Sequence, residues 1–105
     1  MRNFKPENYN SLSPYLLADN VQKLVDLLKI IFNAVELRKY TDENGRIRHI
    51  ELKIDDTILM LAESLESYPA NKTMLHVFVP DVIKTFDIAI QNGCEIIEAP
   101  IQKPE

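Results

Sequence analysis

The spacing of apolar residues near the start of the chain predicts a strand that leads into a helix. Residues 15–17 form a short apolar run, and Asp19 and Asn20 belong to the residue types that cap helix N-termini. Asn33 belongs to the types that end a helix in a left-handed conformation. Between these points apolar residues recur at intervals of three and four, which gives one broad apolar helical face. They are Val21, Leu24, Val25, Leu28 and Phe32.

Alternation of apolar and polar residues predicts three further strands. Residues 35–40 and 46–54 alternate in this way and flank Asn44-Gly45, a pair that favours a tight reversal with positive φ. Residues 57–62 are apolar on both faces, which is typical of a strand that is covered on both sides. The first half of the chain is therefore predicted to run β-α-β-β-β.

The second half of the chain begins in the same way. Residues 64–73 are polar, include Pro69 and are interpreted as a linker. Residues 74–79 are strand-like, and a last short strand is expected around Ile96 and Ile97. Between them an amphipathic helix is predicted, with an apolar face made of Val82, Phe86, Ala89 and Ile90.

An internal duplication accounts for this similarity. Tyr15 falls on His76 and Val21 on Val82, an offset of 61 residues in both cases, and the predicted strand, cap and helix coincide. The first copy covers about residues 13–63, and the second starts at about residue 74. A complete second copy would extend past Glu105, so we expect a truncated one that is reduced to βαβ.

Composition limits the class of protein. With 105 residues, 46% of them apolar, the chain is expected to form one domain over residues 1–105. A net charge of −4 without a basic stripe argues against nucleic acid as a partner. Cys94 is the single cysteine, which excludes an intrachain disulfide. No apolar run has the roughly 20 residues of a membrane span, and the N-terminus lacks the core of a signal peptide, so a cytoplasmic protein without membrane contact is expected.

The order of the elements and the duplication resemble the vicinal oxygen chelate superfamily. This superfamily is built from paired βαβββ modules and includes glyoxalase I, bleomycin-resistance proteins and extradiol dioxygenases. The resemblance covers nearly all of residues 10–99 and implies an α+β fold of two glyoxalase-like modules. A narrower resemblance, to a branch described as 3-demethylubiquinone methyltransferase-like, rests on the stretches SPYLLADNVQKLVDLLKIIFNA, ENGRIRHIELKIDDTILMLAES and LHVFVPDV. Methyl transfer itself has no support, because two glycines cannot form a glycine-rich nucleotide loop.

The resemblance also identifies where a metal would bind. In metal-dependent members each module supplies one ligand from its first strand and one from its fourth, and the ion acts as a Lewis acid. These positions fall on Ser13, Met60 and Met74, and the remaining one lies past Glu105. None of the three side chains suits a hard or borderline ion. No cofactor and no conventional metal site are therefore expected.

Polar residues at alternate positions of the third predicted strand form the candidate site. His49, Glu51 and Lys53 share one face of this strand. A carboxylate beside a histidine fixes the tautomer of the imidazole, which suits ligand contact or proton transfer. The other face carries Arg48, Ile50, Leu52 and Ile54 and is expected to pack against the helices. The resemblance makes the polar face part of a concave pocket, with the expected ligand-binding residues Tyr15, His49, Glu51, Met60 and His76.

Three functions remain open at this point. The preferred hypothesis is a glyoxalase- or bleomycin-resistance-like protein that binds an apolar or mildly anionic small molecule in the concave pocket. The first alternative is a lyase or dioxygenase that holds a divalent metal with His49, Glu51 and His76. The second is a truncated domain without activity that serves assembly. Because no complete catalytic set is visible, the sequence leaves enzyme activity open. Unpaired strand edges in the reduced module, and the resemblance, favour a homodimer.

Overall fold

The computed structural model describes residues 4–101 and confirms an α+β fold with the predicted βαβββ order of the first module. The elements are β1 (Tyr15–Ala18), α1 (Val21–Phe32), β2 (Val35–Thr41), β3 (Ile47–Ile54), β4 (Thr57–Glu63) and α2 (Val82–Gln91). The strands form one mixed sheet in the order β1-β4-β3-β2, in which only β1 and β4 are parallel. Neither helix in this part of the chain has the length and apolar character needed to cross a bilayer.

The core lies on one side of the sheet, beneath α1. Val21 and Val25 of the helix are fully buried, as the apolar spacing predicts. They join apolar residues at alternate strand positions, which are Leu16 of β1, Ile50 and Leu52 of β3, and Leu59 and Leu61 of β4. Each fully buried aliphatic side chain of this kind stabilises the fold by about 1.5–3 kcal/mol. The opposite side of the sheet, here called the open face, is left uncovered by α1 and carries the residues at the other parity.

The two ends of α1 are fixed in different ways. Asn33 has a φ of 56° and ends the helix in the left-handed conformation, which confirms the predicted stop. Asn20 is the N-cap residue as predicted, but its side chain makes no capping bond. Instead the carboxylate of Glu63, at the end of β4, accepts the backbone N–H groups of Asn20 at 2.8 Å and Val21 at 2.9 Å. The cap of α1 is therefore a tertiary contact.

The second module forms only its helix within residues 4–101. The strands predicted for residues 74–79 and around Ile96 and Ile97 are not present there. In the first module β1 obtains its pairing from β4, and an equivalent partner strand for residues 74–79 is not among the described residues. A strand cannot form without a neighbour that satisfies its backbone groups. Helix α2 does form, with Asp81 accepting the backbone N–H of Lys84 at 3.1 Å, and it contacts α1.

A bulge in β3 corrects the predicted orientation of Arg48. The pairing of β3 with β2 skips this residue, so it is an extra position in the ladder and leaves the strict alternation. Its side chain lines the same cavity as Tyr15 and Leu17 on the open face. It therefore does not accompany Ile50 toward the helices.

Candidate functional site

A line of hydrogen-bonded side chains crosses the open face. The hydroxyl of Tyr9 donates to Oε1 of Glu51. The other carboxylate oxygen, Oε2, lies 2.8 Å from Nε2 of His49, and Nδ1 of the same ring lies 3.2 Å from the hydroxyl of Tyr15. We call these four residues the polar line. It joins the N-terminal segment, β3 and β1 through side chains alone.

Strand register explains why these residues meet. Alternation in β3 brings His49 and Glu51 to the open face, while Ile50 between them enters the core. Met60 of β4 pairs with Tyr15 on one side and with Glu51 on the other. Directly paired residues on one face of a sheet have Cβ atoms roughly 5 Å apart. Tyr15 and Glu51 therefore lie on either side of Met60, and the imidazole of His49 connects them.

Glu51 is the one charged side chain that is buried among residues 4–101, with 5% of its surface exposed. Burial by itself raises its pKa, and this is the largest single effect. The hydrogen bonds from Tyr9 and His49, together with the positive charges of the protonated imidazolium form of His49 and of Arg38, outweigh it, so the pKa lies below its ordinary value. Glu51 is consequently a carboxylate at neutral pH, and it can only accept hydrogen bonds.

The residues around Glu51 are suited to its negative charge. Arg38 is its direct partner on β2. The hydrogen bond to Glu51 raises the pKa of the Tyr9 phenol, so Tyr9 stays protonated and remains a donor. The ring of His49 lies between two tyrosine rings, with centroid distances of 5.7 Å to Tyr15 and 6.2 Å to Tyr40. The imidazole is thus held by contacts on several sides.

A cavity of about 400 Å³ opens beside Tyr15 on this face. Its walls are mainly apolar and aromatic, and its lining residues are Tyr15, Leu17, Arg48, Ala62, Glu63, Leu65 and Tyr68. The carboxylate of Glu63 is engaged at the start of α1. The side chain of Arg48, by contrast, makes no hydrogen bond or ion pair with any residue between 4 and 101. Its guanidinium group is therefore a positive charge that a ligand can use.

The structure brings together four of the five predicted ligand-binding residues. Tyr15, His49, Glu51 and Met60 are neighbours on the open face. His76 does not join them. Its ring packs edge-on against Phe78 at 4.7 Å, and it lines a different cavity, next to Pro14 and Thr57. The cause is the missing strand at residues 74–79, which was expected to direct His76 inward.

The residues present do not fit the superfamily's conventional metal site. Met60 offers a thioether, Ser13 precedes β1, and Met74 lies outside any strand with 96% of its surface exposed. A hydroxyl and two thioethers are poor ligands for a hard or borderline ion. The alternative ligand set with His76 is not assembled either, because within residues 4–101 no three His, Cys, Asp or Glu side chains are placed to hold an ion.

Sequence reasoning missed three residues of this site. Tyr9 lies in a polar leader without periodic pattern, so no local signal connects it with Glu51, 42 residues away. Arg48 was assigned to the wrong face because alternation does not reveal a bulge. Tyr68 lies in the segment interpreted as a linker. The sequence signal for a cation on this face is the basic character of the hairpin, which carries Arg38, Lys39, Arg46 and Arg48 but also the offsetting Asp42 and Glu43.

A βαβββ module with α1 on one face of its sheet is a glyoxalase-like fold, and several solved structures share it with this chain. Among solved structures, TioX from Micromonospora sp. ML1 has a TM-score of 0.67 and 24% identity, over 91% of this chain and 82% of TioX. A gene product of Arabidopsis thaliana has a TM-score of 0.67 and 16% identity, over 88% of this chain and 80% of its own. The fosfomycin resistance protein FosX of Listeria monocytogenes has a TM-score of 0.61 and 19% identity, over 82% of this chain and 73% of FosX.

The relatives found by sequence similarity give no function for comparison. No protein-family profile matches the chain. An uncharacterized protein of Mycobacterium bovis and one of Mycobacterium tuberculosis are each 27% identical over 100 residues, which is 85% of this chain. The match covers 66% of the first protein and 59% of the second, so the chain spans less than two thirds of the length of either relative. These similarities therefore support the fold and no finer description of the protein.

Proposed function

We propose that this protein binds a small apolar or mildly anionic molecule on the open face, in the cavity beside Tyr15. The observation that carries the proposal is a buried carboxylate, that of Glu51, with a hydrogen bond to each oxygen, connected through His49 and Tyr15 to a cavity with an unpaired arginine. An ionised carboxylate costs several kcal/mol to bury, and an apolar residue would pack at the same position without that cost. Buried charges of this kind, placed beside a cavity, are typical of functional sites.

The cavity lining indicates the character of the ligand. Leu17, Ala62 and Leu65 provide apolar walls, and Tyr15 and Tyr68 provide aromatic surface with polar tips. Small-molecule sites generally combine such walls with a few polar groups, in volumes of roughly 300–1,000 Å³. The planar guanidinium of Arg48 is suited to a carboxylate or a similar anion, which it can bind through two parallel hydrogen bonds. A flat, mostly apolar molecule with one anionic group satisfies all of these features.

Proteins of the same fold support the binding of a small molecule in general, without indicating which ligand this chain binds. The name of FosX connects the fold with resistance to fosfomycin, a small molecule, and one FosX structure contains Mn(II) and sulfate. For this chain we propose binding through side chains alone, since the positions that the resemblance implies for metal ligands carry Ser13, Met60 and Met74. The narrower branch suggested by the sequence contributes nothing further to this proposal.

A fragment comparison tests the proposal. Aromatic carboxylates and their neutral carboxamides have nearly the same shape, so the difference between their affinities reports the cation. We expect the carboxylates to bind more tightly and Arg48→Met to weaken them by roughly tenfold or more, as expected for loss of a charge-assisted hydrogen bond. Arg46→Met is the matched control, because Arg46 pairs with Asp42 at 3.2 Å and does not line the cavity. Absence of binding, or a preference that survives Arg48→Met, would overturn the proposal.

Metal analysis addresses the metal-dependent alternative. Protein purified without chelator is expected to contain no stoichiometric divalent metal. Stoichiometric zinc, nickel, iron or manganese that is lost on His49→Ala would instead support a metal-dependent lyase or dioxygenase.

A further inference from the structure

The directions of the hydrogen bonds in the polar line follow from one residue. Glu51 is a carboxylate and has no proton to donate. The proton shared between its Oε2 and Nε2 of His49, 2.8 Å apart, must therefore belong to the imidazole. Its other oxygen accepts the hydroxyl of Tyr9. Both oxygens of Glu51 are thus acceptors, and His49 is fixed with its hydrogen on Nε2.

This tautomer determines the role of Tyr15. In the neutral form of His49 only one nitrogen carries a hydrogen, so with Nε2 as the donor Nδ1 is an acceptor. The hydroxyl of Tyr15, 3.2 Å from Nδ1, must then donate to it. The hydrogen of Tyr15 is used inside the polar line, and the phenolic oxygen keeps its remaining acceptor capacity. Tyr15 also lines the cavity together with Arg48.

We propose that Tyr15 accepts a hydrogen bond from the ligand, so that the cavity selects molecules that carry both a hydroxyl or N–H donor and an anionic group. Hydroxylated aromatic or alicyclic acids are the chemical class that meets this condition, with the donor at Tyr15 and the anion at Arg48. The inference rests on the proposed function for the location of the ligand. His49 and Glu51 are positioning residues, because they set the polarity of Tyr15 without lining the cavity themselves.

The direction of the hydrogen bonds in the polar line can be tested without any ligand. Nitrogen-15 NMR of the histidine rings, at about pH 8.5 and thus above the ordinary titration range of histidine, distinguishes the two neutral tautomers. We expect His49 to be in the Nε2–H form alone. The second histidine, His76, has no carboxylate partner among residues 4–101 and serves as the internal reference. In Glu51→Met, His49 should lose its preference for the Nε2–H tautomer, while the rest of the NMR spectrum still shows the folded protein. An Nδ1–H form of His49 in the unaltered protein would overturn the proposal.

Matched probes, measured at the same pH of about 8.5, test the selectivity. The positional isomers of hydroxybenzoate differ from the corresponding methoxybenzoates in the donor hydrogen, and both carry the carboxylate for Arg48. We expect at least one hydroxybenzoate to bind about three- to tenfold more tightly than its methoxy counterpart, the range of one neutral hydrogen bond. Tyr15→Phe should abolish this difference. Tyr40→Phe should preserve it, since the Tyr40 hydroxyl bonds to no residue between 4 and 101 and Tyr40 does not line the cavity.

The possible results distinguish the proposed function from the proposed donor selectivity. Equal binding of both members of every pair, or a preference for the methoxy compounds, leaves the proposed function in place and overturns the donor selectivity. Failure of all benzoates to bind overturns the proposed function and the selectivity with it.

Discussion

At the scale of single residues, Glu51 determines the organisation of the open face. It is buried, ionised and satisfied by two donors that come from distant parts of the sequence, Tyr9 and His49. A buried carboxylate that loses one of its partners is far more costly than a buried pair that stays intact. The position of each tyrosine relative to β3 is therefore coupled to the charge of this one side chain.

This coupling predicts a specific dependence of stability on pH. Burial and the hydrogen bonds together leave the folded pKa of Glu51 below its ordinary value of 4.5. As the pH falls through 4.5 the unfolded chain takes up this proton first, so the free energy of unfolding decreases until the folded pKa is passed. The contribution of Glu51 is therefore complete at neutral pH and lost in acid.

Urea unfolding between about pH 3 and pH 7 measures this dependence. Glu51→Gln should flatten the profile in the acid range. Glu43→Gln, at an exposed position of the hairpin turn, is the control and should leave the profile unchanged. An identical acid slope in all three proteins would contradict the assigned role of Glu51.

Alternation is sufficient to predict part of the site at this scale. It places His49 and Glu51 on one face because β3 itself is regular from His49 onward. It fails at Arg48, since a bulge depends on how two strands pair and not on either strand alone. It also has no means of finding Tyr9, whose contact with Glu51 is created by the folding of the N-terminal segment.

At the scale of elements, the polar end of β4 and the start of α1 depend on each other. Glu63 supplies both capping bonds to the helix, and no acidic residue lies in the first turn to replace it. The same residue lines the cavity on the open face. One side chain therefore connects the stability of the helix with the shape of the candidate site.

Glu63→Gln tests this connection. An amide lacks the charge that favours a helix N-terminus, so we expect the free energy of unfolding to fall by about 1 kcal/mol, within the range of 0.5–2 kcal/mol for a lost cap. Chemical denaturation provides the measurement. Glu66→Gln, at an exposed position three residues further on, should have no effect. Equal stabilities of the two variants would show that the contact does not stabilise α1.

Elements with local signals could be predicted, and those that need a distant partner could not. The helix α1 with its Asn33 stop, and the β2–β3 hairpin with Gly45 at a φ of 80°, follow from neighbouring residues. The strand predicted for residues 74–79 has the right composition, yet β pairing requires another strand in register, and none is present for it within residues 4–101. The position of His76 was lost for the same reason.

At the scale of the whole molecule, several large apolar side chains are exposed in the second half of the chain. Met74, Phe78 and Ile97 expose 96%, 92% and 99% of their surface. Every residue of the edge strand β2 is exposed as well. Extended apolar patches on a soluble protein mark interaction surfaces, and open strand edges pair readily with another chain. We propose that a second copy of the chain covers this surface.

Light scattering after size-exclusion chromatography tests the homodimer. We expect a mass of twice the 12.1 kDa of one chain. Phe78→Ser should shift the equilibrium toward the monomer. Phe4→Ser is the matched control, because Phe4 is similarly exposed, at 87%, but lies outside the second half of the chain. A single-chain mass that persists at the highest attainable concentration would contradict the proposal.

The open face, and not another surface, is the proposed site for a small molecule. The most direct test is a titration of nitrogen-15-labelled protein with an aromatic carboxylate, followed through the backbone amide shifts. We expect saturable changes that are largest around Tyr15, Arg48 and Tyr68 and that require roughly tenfold more ligand, or more, in Arg48→Met. Changes concentrated around His76 and Thr57, which line the other cavity, or no changes at all, would contradict it.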